Sequence, residues 1–160
     1  MHEQASNSTA ADERPQRIII GLIVWVLLQL PRLIAIPLIQ DVLDETESDA
    51  WMFPAILDVV VAVAAPFMAV ALWRARGLWV WVTAIVFFTV SIIDHLDAIT
   101  AGLLAPPPQV FGGESGPSPV VVPGLQLLID FVALWLLTRP SGKRYYLDST
   151  LRSEGELNPR

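Results

Sequence analysis

Three ionisable side chains, Asp94, His95 and Asp97, fall within four positions of the stretch SIIDHLDAIT, residues 91–100. Carboxylates beside an imidazole suit general acid–base work, relay of a proton, or coordination of a hard cation through oxygen. Arg32, Asp58 and Asp130 stand in equally apolar surroundings, and Gln29 and Gln126 lie one helical turn before Arg32 and Asp130. The DHLD string is not a specific motif by itself. Its meaning depends on the elements that carry it.

Those elements follow from composition. Of 160 residues, 54% are hydrophobic and 16% charged, against about 25% charged in ordinary soluble domains. Four segments, at 18–39, 52–73, 78–104 and 119–138, reach the roughly 20 apolar residues needed to cross a bilayer. The predicted fold is an all-α integral membrane protein, a four-transmembrane-helix antiparallel bundle over 17–138, between a disordered tail at 1–16 and a second tail at 139–160. Arg14 and Arg17 precede IIIGLIVWVLLQL as in a secretory signal, but no small-x-small cleavage site follows, so the segment reads as a signal anchor.

The basic residues set the expected orientation. Nine of the ten Lys and Arg lie in the two tails or in the WRARG connection, and the tenth is Arg32. The connections DVLDETESDA and APPPQVFGGESGPSPVVV have none. By the positive-inside rule the N and C termini are cytoplasmic and the two longer loops face outward. No eukaryotic sorting signal is legible, which makes a prokaryotic plasma membrane the expected location. A net charge of −6 with this asymmetry argues against a nucleic-acid partner. There are no cysteines, which excludes disulfides and thiol chemistry.

Depth and helical facing bring the charges together. Asp94 is expected about 24 Å along the third helix, Arg32 about 21 Å along the first and Asp58 about 9 Å below the outer boundary. Asp130 falls near mid-depth in the fourth. Asp58 shares a face with Ala55, Ala62, Ala65 and Ala69, a small-residue stripe that lets membrane helices approach closely. Ser91, Asp94, Asp97, Ala98 and Ala101 form a second stripe, with His95 at its edge. Gln126, Asp130 and Ala133 align in the fourth helix, as do Gln29, Arg32 and Ala35 in the first. Pro31, Pro37 and Pro66 are expected to kink their helices, and those near Arg32 to free backbone carbonyls as extra ligands.

The candidate ligand- or proton-binding set is therefore Arg32, Asp58, Asp94, Asp97, Asp130, Gln29, His95 and Gln126, opening outward under the Pro-rich loop. An intramembrane charge costs about 2.5–3.5 kcal/mol on insertion scales, so such groups normally pair and mark function. Four aspartates against one arginine leave a charge for a proton, a cation or a polar ligand to balance. No cofactor is evident; Asp58, Asp94, Asp97 and Asp130 are the oxygen ligands a divalent cation would use. One intramembrane histidine excludes a bis-histidine haem, and the lack of an intramembrane lysine excludes a retinal Schiff base. Three readings stand: a small binding or transport unit for a cation, proton or polar headgroup; an accessory subunit whose charges meet other membrane subunits or a second copy; and an enzyme acting on a lipid or quinone headgroup. The enzyme ranks last, because no nucleophile with a positioned base is legible.

Overall fold

The computed structural model describes residues 16–147. The expectations for the N-terminal tail, and for the C-terminal one beyond 147, lie outside the described residues. Among the described residues the spans are built from α1 (Gln16–Leu27), α2 (Ala35–Leu43), α3 (Met52–Arg74), α4 (Leu78–Leu104) and α5 (Val121–Thr138). They make four spans long and apolar enough to cross a membrane, Arg17–Leu43, Asp49–Arg74, Leu78–Leu104 and Val121–Thr138. This is a multi-pass membrane protein. The described helices leave large apolar side chains outward, Phe67 at 74% and Leu103 at 73% exposure among them. Lipid is the medium in which such a surface costs nothing.

The first span differs from the single helix expected over 18–39. A 3-10 segment at Leu30–Ile34 divides it into α1 and α2. Pro31 is the cause: it has no N–H to donate backward, and its ring clashes with the carbonyl a turn earlier. The chain tightens to i→i+3 bonds instead, Gln29 N to Val26 O and Arg32 N to Gln29 O, both at 3.1 Å. Pro37 falls in the first turn of α2, where no intrahelical N–H is needed. Pro66 lies inside α3, which runs on through it.

Successive elements pack as neighbours: α1 and α2 on α3, α3 on α4, and α4 on α5. Two apolar clusters result. One joins Leu22, Val26, Met68, Leu72, Phe88 and Leu137 toward the end that carries the 75–77 connection. The other joins Ala35, Leu38, Trp51, Ala55 and Ala101 toward the end that carries the two longer loops. The candidate site residues of α3, α4 and α5 lie between them. Ala55, Ala62, Ala65 and Ala69 are all buried, as the α3 stripe requires.

Each end is pinned by an indole. Trp51 Nε1 donates to Pro106 O at 3.0 Å, fastening the loop after α4. Trp81 Nε1 donates to Leu137 O at 3.0 Å, satisfying one of the carbonyls that the end of α5 leaves open. Trp81→Phe keeps the ring but not the donor, and is expected to lower stability by about 1 kcal/mol in chemical denaturation. Residues 140–147, expected as part of the tail at 139–160, are helical. Tyr146 is buried against the first apolar cluster, and Arg76 lies over the Tyr145 ring and donates to its hydroxyl at 3.0 Å.

Candidate functional site

Arg32 stands at the centre of the buried polar groups. The 3-10 turn that Pro31 imposes holds it where α3 and α4 pass, and its side chain is only 6% exposed. Nη1 lies 3.2 Å from Asp58 Oδ1 and is also bonded to Asp94 Oδ2. Nη2 donates to Ser91 Oγ at 3.1 Å and faces the ring nitrogens of His95, with Nδ1 at 3.3 Å. One guanidinium thus ties α3 to α4. Charge-assisted bonds of this kind are the strong ones.

A second branch runs from His95 to α5 and α1. His95 Nε2 is 3.2 Å from Asp130 Oδ2, while Asp130 Oδ1 accepts a 2.6 Å bond from Trp25 Nε1. Arginine only donates and a carboxylate only accepts, so His95 Nε2 serves one or the other according to whether it carries a proton. Trp25–Asp130–His95–Arg32 makes a connected path, branching at Arg32 to Asp58 and Asp94, that engages the first, second, third and fourth spans.

Most of the expected set is brought together. Gln29, Arg32, Asp94, His95 and Asp130 are buried, and Asp58 joins them with its side chain 25% exposed. His95 is central rather than at an edge, since α4 packs against α3 on one side and α5 on the other. Asp97 is half-buried, a turn nearer the loops, outside the network of Arg32. Gln126 lines the neighbouring cavity. Among the described residues no three His or carboxylate groups are placed to hold a metal ion. The guanidinium of Arg32 fills the place between Asp58 and Asp94 that a cation would take.

Two participants were not in the expected set. Trp25 sits at i−4 from Gln29 and i−7 from Arg32, so helical spacing put it on their face. Ser91 was on the α4 stripe without being assigned a role.

Beside the cluster is a cavity of about 240 Å³. Its walls include seven prolines, from Pro31, Pro54 and Pro107 to Pro123, with Trp51 and Phe111; its charged lining residues are Arg32 and Asp58. The Pro-rich loop forms part of the cover through Pro107, Pro108, Pro117 and Pro119. It contains two single 3-10 turns, Gln109–Phe111 and Gly113–Ser115, joined at Gly112, whose φ of 94° suits glycine. Three buried polar atoms of the cluster, Gln29 Oε1, Arg32 Nε and Asp94 Oδ1, have no hydrogen-bond partner among the described residues, and of these residues Arg32 also lines the cavity. Native proteins rarely leave such atoms unmatched without a reason. Compared with known proteins, the chain matches no family model, no curated protein and no solved structure.

Proposed function

We propose that the protein is a small binding or transport unit of a prokaryotic plasma membrane, an antiparallel bundle with both termini cytoplasmic, that takes the polar end of a ligand from the outer side. The observation that carries this reading is the cavity whose apolar, proline-stiffened walls end on the Arg32–Asp58 pair. Ligand pockets have this composition, mostly apolar with a few convergent polar groups. A buried ion pair is often no more stabilising than apolar residues of the same volume. Its presence at a cavity floor is therefore better explained by recognition than by stability.

A second reading, an accessory subunit of a larger complex, is favoured by α5. That helix buries Asp130, Ala133 and Leu137 and packs chiefly on α4, leaving most of its circumference open to another helix.

The chain has no cysteine of its own, so single cysteines report access cleanly. Ala98→Cys, in the cavity wall, is expected to react in intact cells with a small membrane-impermeant thiosulfonate, as is Ser115→Cys in the loop. Ser141→Cys should react only after permeabilisation, and Ala69→Cys in the packed stripe in neither case. An unreactive Ala98→Cys beside a reactive Ser115→Cys would rule out an outward-open cavity and leave the subunit reading.

A further inference from the structure

Resting on the cavity reading above, we infer that the ligand is an organic ammonium cation with an apolar body. Both terminal nitrogens of Arg32 are engaged, Nη1 with Asp58 and Asp94 and Nη2 with Ser91 and His95. Asp58 is the charge that remains accessible, its side chain 25% exposed against 6% for Arg32. A molecule entering the cavity meets a carboxylate.

The walls select among cations. Hard metal ions need six or more oxygen ligands to replace their water, whereas this cavity offers proline rings, Trp51, Phe111 and Val122. An ammonium with carbon substituents gives up little hydration, gains from burying its apolar body, and is attracted to aromatic faces. Arg32 Nε, in a side chain that lines the cavity and is more than nine-tenths buried, still has an N–H to donate. A ligand oxygen close to the ammonium would take it.

The approach carries the same sign. Asp41, Asp44, Glu45, Glu47 and Asp49 surround the connection after α2, and Glu114 is on the cover. Glu47 Oε1 accepts from Gln109 N at 2.8 Å, which ties this acidic connection to the cover beside Phe111. Carboxylates of one sign on the loops at this end of the bundle raise the local concentration of cations.

The test uses the full chain in dodecyl maltoside, an uncharged detergent, with two probes of similar size and opposite charge: benzyltrimethylammonium and phenylmethanesulfonate. Calorimetric titration is expected to show binding of the ammonium and none of the sulfonate. Asp58→Asn should weaken the ammonium at least tenfold. Ala98→Leu, which fills the cavity from α4 and leaves every charged group in place, should weaken it too and guards against misfolding of the first variant. Preference for the sulfonate would overturn the inference while leaving the cavity as a binding site. Absence of binding by either probe would overturn both. Competition then identifies the source: displacement by dihexanoylphosphatidylcholine but not by dihexanoylphosphatidylglycerol points to a lipid headgroup, and displacement by neither points to a free ammonium compound.

Discussion

Arg32→Met is expected to destabilise the protein by about 3–5 kcal/mol, the cost of breaking a buried ion pair by removing one partner. Methionine keeps much of the length and volume of the arginine stem, so the loss comes from charge. Asp58 and Asp94, both bound to Nη1, would face one another without a cation, and Ser91 and His95 would lose the donor they share. The triple variant Arg32→Met, Asp58→Asn, Asp94→Asn removes the whole constellation and should regain most of the stability, because a buried ionic group replaced as a unit is often neutral. Asp94→Asn alone should cost more than Asp58→Asn, since Asp94 is 1% exposed and Asp58 partly open to the cavity. Chemical denaturation in detergent measures all four. A single Arg32→Met variant within 1 kcal/mol of the parent would mean that the guanidinium turns outward to the headgroups instead, as long basic side chains at membrane edges do.

Gly116→Ala is expected to open the cover of the cavity. A Cβ at this position would lie 2.0 Å from Phe111 O and 2.9 Å from Phe111 C, and both are backbone atoms that no rotamer change can move aside. The two 3-10 turns must separate, carrying Phe111 and Pro117 out of the cavity wall. Limited proteolysis within 105–120 should accelerate, and benzyltrimethylammonium affinity should fall at least tenfold, about 1.4 kcal/mol. The spans themselves should be unaffected, so the melting transition of the bundle moves little. Unchanged proteolysis and unchanged affinity together would show that the loop accommodates the methyl and does not form the wall.

The number and placing of the spans were legible because lipid imposes one rule on every helix that crosses it, and apolar length records that rule directly. Facing was legible for a similar reason. Ala55, Ala62, Ala65 and Ala69 repeat at helical spacing, and close packing of α3 needs them where they stand. Asp97 belongs to the Asp94 face by period, yet it is half-buried outside the network of Arg32, while Ala101 a turn further on is buried in the second apolar cluster. Trp25 was on the right face, yet a tryptophan in a membrane helix reads equally well as a lipid contact until its N–H is seen on Asp130. The division of the first span and the docking of residues 140–147 depend on which surfaces meet across the molecule. Pro31 announces that a helix must yield there, while the direction in which the chain resumes is set by α3. The cavity is further still from local sequence, since its walls come from every span and from a loop that has no period to read.

Arg32 has a consequence for the making of the protein as well as for its finished state. Chains are synthesised from the N-terminus, and early segments fold before later ones exist. The first span emerges with its arginine while Asp94 is still 62 residues away, and the cluster closes only once Asp130, in the last span, has reached Trp25 and His95. A chain that stops before the second span carries an intramembrane cation with neither Asp58 nor Asp94 to pair it, at a cost of about 2.5–3.5 kcal/mol. The completed chain conceals it. The polar layer thus closes in the order of synthesis, Arg32 gaining Asp58 and then Asp94, and His95 meeting Asp130 last.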